Sequence, residues 1–129
     1  MATWADVREL ALALPATRET TSYGNVAWAV GDKTFVWERP LTGKDVEALG
    51  DAAPDGPILG VRTAGLEMKE MLLAGAPKVF FTTPHFDGYP AVLVRLPKIT
   101  VKALRELLEE AWLARAPKRA REAFLRDRA

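Results

Sequence analysis

Cysteine is absent from the 129 residues, histidine occurs once, and the formal net charge is only +1. Without thiols there is no disulfide, no thiolate nucleophile and no Cys-ligated zinc or iron–sulfur cluster. A single imidazole leaves too few soft ligands for an ordinary zinc site. No apolar run approaches the ~20 residues that cross a bilayer. The start, Met1-Ala2-Thr3-Trp4-Ala5-Asp6, lacks the basic and apolar regions of a signal peptide, so a cytoplasmic protein without a membrane anchor is expected. Also missing are a Gly-x-Ser-x-Gly elbow, a phosphate loop ending in Lys-Ser/Thr, and Gly-x-Gly-x-x-Gly after a strand. The expectation is a protein with no cofactor, no metal and no enzymatic activity.

What is present is a globular balance, 49% hydrophobic and 27% charged, at a length that suits one domain over residues 1–129. The charge is unevenly spread. Residues 115–129 carry Arg115, Lys118, Arg119, Arg121, Arg126 and Arg128 against Glu122 and Asp127, while the rest of the chain is mildly acidic. A cationic tail suits an anionic partner through counterion release. It also suits a solvated helix end, where cations meet the C-terminal dipole.

The pattern predicts helices and short strands in the order α-β-β-α-β-α-β-β-α-α. Thr3 and Asp6 have capping-box spacing, and Val7, Leu10, Ala11 and Leu14 line one helical face before Pro15. Residues 25–30 and 33–38 flank the turn Gly31-Asp32, a hairpin in which Phe35 and Trp37 share a face. A short helix follows Thr42, a strand covers 58–62, and a helix runs from about Leu66 to Ala74 with Met68, Met71 and Leu72 toward the core. Strands at 78–82 and 91–96 enclose a rigid loop. Thr100 caps the longest helix, whose stripe is Val101, Leu104, Leu108 and Ala111, and Pro117 opens a last short one. Two hairpins without regular βαβ alternation predict an α+β domain, a largely antiparallel sheet of about five strands with helices on one face.

The loop Pro84-His85-Phe86-Asp87-Gly88-Tyr89-Pro90 holds the lone histidine between two prolines and a turn dipeptide. His85 beside Asp87, with Thr82 or Thr83 near, has the ingredients of a base and a hydroxyl nucleophile. The same loop also reads as shape alone, with Phe86 and Tyr89 packed beneath a hairpin. As a contact surface it offers His85 and Tyr89, with Arg95 beyond it and Lys33 at the other hairpin, the aromatic and basic mixture of nucleic-acid binding. A sheet face or hairpin tip that takes a peptide partner is the alternative reading.

Several segments together resemble the MmcQ/YjbR family of small bacterial proteins. They are Ala13-Leu14-Pro15, Gly31-Asp32-Lys33-Thr34-Phe35, Gly60-Val61-Arg62-Thr63, Val79 through Pro90, and Ala116-Pro117-Lys118-Arg119. The resemblance implies a compact α+β fold related to CyaY-like and secretion-chaperone-like folds. It also implies DNA binding through a double wing, here the hairpins around Gly31-Asp32 and His85–Tyr89, and it brings no catalytic residues. The expected contacts are Arg115, Lys118, Arg119 and Arg121 on phosphates and His85 and Tyr89 on sugar or bases, with Lys33 and Arg95 nearby. A monomer that binds DNA with little sequence preference is expected.

Overall fold

The chain runs α1 (Trp4–Leu12), β1 (Thr17–Ser22), β2 (Asn25–Val30), β3 (Lys33–Glu38), α2 (Gly43–Leu49), β4 (Ile58–Arg62), α3 (Leu66–Gly75), β5 (Phe80–Phe81), β6 (Ala91–Arg95), α4 (Val101–Arg115) and α5 (Lys118–Arg128). The computed structural model describes residues 1–128, and Ala129, the end of the expected domain, lies outside them. The strands form one antiparallel sheet in the order β1-β2-β3-β4-β6-β5. The architecture is the expected α+β type with one more strand than the pattern predicts. The addition is β1, whose Thr-Arg-Glu-Thr-Thr-Ser has no apolar alternation because it is an edge strand.

Turn chemistry sets the first two hairpins. Tyr23 and Gly24 both have positive φ, 50° and 81°, as a two-residue type I′ turn requires, and Ser22 pairs with Asn25 on either side. In the Gly31-Asp32 turn only the first residue is left-handed, at 61°, the requirement of a II′ turn. Between β2 and β3 the register jumps: Trp28 faces Val36 but Ala29 faces Thr34. Phe35 is the extra residue of a β-bulge, so it joins Val36 in the main core while Trp37 turns to the other face. The expected shared face of Phe35 and Trp37 is therefore corrected.

The main core lies under α1 and α4, where Trp28, Val30, Val36, Leu59, Val61, Val92 and Val94 meet Val7, Ala11, Leu104, Leu108, Ala111 and Trp112. Each valine or leucine among them contributes roughly 1.5–3 kcal/mol on burial, which outweighs the ~1 kcal/mol of a helix cap. Capping still places the ends, and Thr3 with Asp6 and Thr42 with Asp45 form reciprocal capping boxes. The second face is covered over only part of its width. There Ile58, Phe81, Phe86, Ala91 and Leu93 pack with Trp37, Leu41 and Leu49, so α2 and the 84–86 turn sit opposite the main helices. In α3 the expectation holds for Leu72, which packs on the main core, and is corrected for Met71, 60% exposed, while Lys69 is buried at 6%.

Candidate nucleic-acid interface

One end of the sheet gathers most of the expected contact residues. Antiparallel pairing of Val36 with Val61 and of Arg62 with Ala91 aligns the start of β3, the end of β4 and the start of β6. The Gly31-Asp32 turn and the 84–90 loop therefore project from the same end. The helix α4 crosses the sheet to that end, where the Trp112 Nε1–H donates to the Pro15 carbonyl at 3.0 Å. Arg115 follows within a turn, and Ala116-Pro117 leads straight into Lys118 and Arg119. From there α5 folds back along α4, with Phe124 4.9 Å from Trp112 and Arg128 paired to Glu109 at 2.6 Å.

The 84–90 loop is held from inside. Pro84 to Phe86 form one 3₁₀ turn, the Tyr89 N–H returns to the Phe86 carbonyl at 3.0 Å, and Gly88 supplies a positive φ of 74°. Phe86 is the buried anchor, with the Arg39 guanidinium 5.3 Å from its ring centroid. Beneath it the Lys69 ammonium donates to the carbonyls of Phe86 at 2.5 Å and Tyr89 at 2.8 Å. Burial lowers the Lys69 pKa, with Asp87 working against it. Fixed in this way, the loop presents His85 and Tyr89 to solvent, His85 standing edge-on to Phe86 at 4.9 Å.

Beside the loop lies Arg62, which the sequence reading left out. Its Nη1 donates to the Tyr89 hydroxyl at 3.3 Å, and its guanidinium sits 5.1 Å from the Tyr89 ring centroid. Arg115 is close enough to feel that charge: burial first, then Arg62, lower its pKa, while Tyr89 and Asp32 act in the opposite sense. A guanidinium does not titrate in practice, and the direction says that burial and the Arg62 charge disfavour a cation there. Lys33, exposed, and Arg18, whose Nε–H donates to the Gly31 carbonyl at 3.2 Å, complete the basic side chains of the turn region. The acidic side chains Asp32 and Asp87 form no ion pair with any of them among the described residues.

The structure thus brings Lys33, His85, Tyr89, Arg115, Lys118 and Arg119 to one end, with Arg121 half-buried one turn into α5. Arg95 is not among them. It lies at the far end of β6, opposite Ile58, where it donates to the carbonyls of Pro77 and Ala52 and covers Phe81 at 4.5 Å. Strand length separates it from Tyr89 by ~13 Å or more. Two shallow depressions of about 250 and 270 Å³ lie at that same far end around Pro54–Pro57, and His85 lines neither. His85 and Asp87 make no side-chain hydrogen bond to each other among the described residues. No trio of His, Asp or Glu side chains poised for a metal occurs among the described residues, and no helix there is long and apolar enough to cross a membrane.

Sequence comparisons show the kinship, and a solved structure shares the fold. The family model described as YjbR matches residues 12–114. Uncharacterised proteins of Mycobacterium bovis and Mycobacterium tuberculosis are 52% identical over 128 residues, covering 97% of this chain and 97% of theirs. The crystal structure of the Deinococcus radiodurans protein DR2400, with a DUF419 domain, aligns at a TM-score of 0.65 and 22% identity over 88% of this chain and 78% of that one.

Proposed function

The chain belongs to the YjbR family, and on that footing we propose that it is a cytoplasmic, non-enzymatic DNA-binding protein that grips the phosphate backbone with the basic end of its sheet. The observation that carries the reading is the convergence of Lys33, Arg62, Arg115, Lys118 and Arg119 around a fixed loop that exposes His85 and Tyr89. The near-neutral net charge is no obstacle, because the local field is set by where the charges lie. Contacts made by flexible cations to phosphates carry little sequence information, so the binding is weakly specific.

Fluorescence anisotropy on a labelled duplex over rising salt tests this. Each phosphate contact adds about −0.9 to the slope of log K against log salt. Replacing Lys118, Arg119 and Arg121 together by alanine is expected to flatten that slope by about 2 to 3. Failure of the wild type to bind duplex at micromolar protein in low salt would overturn the reading.

A further inference from the structure

Tyr89 is fixed at both of its ends. Its N–H donates to the Phe86 carbonyl at 3.0 Å, and its own carbonyl accepts from the Ala91 N–H and from the Lys69 ammonium, both at 2.8 Å. The Phe86 carbonyl takes a second ammonium proton at 2.5 Å, so one buried lysine of α3 ties the two carbonyls that bracket Asp87 and Gly88. At the tip of the side chain the Arg62 Nη1 donates to the hydroxyl at 3.3 Å. What stays open is the ring, since Tyr89 is 44% exposed.

A buried lysine is a costly way to hold a loop, because its ammonium gives up water for two carbonyls. To close the chain on itself the loop already has Pro84, its 3₁₀ turn and the left-handed Gly88. The added clamp acts on the orientation of what the loop carries outward. Phe86 points inward and is anchored by packing, whereas Tyr89 is exposed and has its backbone gripped directly by Lys69.

We propose that Lys69 is a positioning residue for nucleic-acid binding, holding the Tyr89 ring in the pose that meets a sugar or a base while itself staying buried beneath the loop. The role rests on the reading of the basic end as the DNA-binding surface. A ring fixed in advance avoids an ordering cost on binding. Its contact is uncharged, so it adds affinity that salt does not screen.

A double-mutant cycle tests the role, with anisotropy on duplex DNA read at low salt and again over rising salt. Tyr89→Leu is expected to weaken binding about tenfold and Lys69→Met about fivefold. Both should keep the wild-type salt slope, since neither removes a phosphate contact. In the Tyr89→Leu background, Lys69→Met is expected to cost no further affinity, because no ring is left to position. Lys69→Arg keeps a cation that can donate to both carbonyls, and it is expected to bind within about twofold of wild type.

Gly88→Ala disturbs the same loop while leaving Lys69 in place. Its φ of 74° disfavours a β-carbon although no neighbour obstructs one. It is expected to weaken binding about threefold at an unchanged salt slope, and it reports on the loop even where Lys69→Met fails to fold. The positioning role is overturned if Lys69→Met binds as wild type does, or loses equal affinity with and without the Tyr89 ring. It is overturned too if Lys69→Met is unfolded and Gly88→Ala binds as wild type does. In each case backbone binding by the wild type stands. A wild type that binds no duplex at micromolar protein in low salt removes the broader reading and this role together.

Discussion

The indole of Trp37 occupies the space that a β-carbon at position 60 would need. The two residues are cross-strand partners on β3 and β4, and a Cβ built on Gly60 would collide with Cε2 and stand 2.7 Å from Cζ2. Here glycine is required by close approach, since nothing about its backbone is left-handed. Gly60→Ala is expected to cost roughly 2–3 kcal/mol, measured by urea unfolding. Combining it with Trp37→Leu should cost less than the two changes summed, because the smaller side chain frees the space. Strict additivity would show that the contact does not set the requirement.

That relationship illustrates which parts of the fold were legible in the sequence. Local rules were readable: the Thr3–Asp6 capping box, the Gly31-Asp32 turn, the stiff loop from Pro84 to Pro90 and the α4 stripe of Leu104, Leu108 and Ala111 stand where pattern puts them. Val101, expected at the head of that stripe, is exposed. Features decided by distant partners were not. Lys69 is buried because carbonyls 17 and 20 residues away accept its protons, and nothing local distinguishes it from an exposed helix lysine. Likewise, β1 is polar because an edge strand has little to bury, and Arg62 matters only once strand register brings it to Tyr89. For the site, sequence gave the loop and the basic segment after α4. It missed Arg62 and wrongly placed Arg95 beside them, because along a strand proximity in number becomes distance in space.

Lys69 predicts an alkaline signature. Its pKa is depressed from 10.5, so its burial penalty is fully present below the folded value and is relieved as pH rises through it. Against Lys69→Met, the wild type should therefore gain relative stability as pH climbs toward 10.5. Near neutrality the two should differ by only about 1 kcal/mol, since lost hydrogen bonds and relieved desolvation oppose each other. Amide exchange at Tyr89 should quicken in the variant as the loop loses its tether. Parallel pH profiles would rule out the buried ammonium as the cause.

Asp45 acts at the other end of the pH scale. Burial alone would raise its pKa, but the Thr42 backbone N–H and hydroxyl and the Arg39 charge together bring it below 3.8. Stability from this group is thus present above 3.8 and is lost as pH falls through the folded value. Asp45→Asn should cost about 2 kcal/mol at neutral pH and flatten the acid limb of the stability curve. A variant that denatures in acid just as steeply as wild type would show that other carboxylates dominate.

Tyr23 is fully exposed with φ at 50°, a conformation that favours asparagine or glycine. Tyr23→Asn should raise stability by about 0.5–1 kcal/mol, read from the chemical denaturation midpoint. A decrease would mean that the ring contributes packing despite its exposure.

Arg95 serves as the control for the basic end. Arg95→Met should cost about 1–2 kcal/mol through lost carbonyl bonds and the lost stack on Phe81, yet leave the salt slope of DNA binding unchanged. By contrast, Arg62→Ala should reduce that slope by about 1. Equal effects of the two on binding would contradict the division between the ends of the sheet.

The two margins of the sheet have a consequence for how the protein behaves in a crowded solution. One margin is β1, with Thr, Arg, Glu and Ser along its length, and the other is β5, only two residues long. An apolar, extended margin would be an open template for copies to add strand by strand. Here one side discourages such growth by its charge and hydration, and the other offers too little backbone to continue it. Both margins thus work against strand-by-strand growth without a barrel or a disulfide.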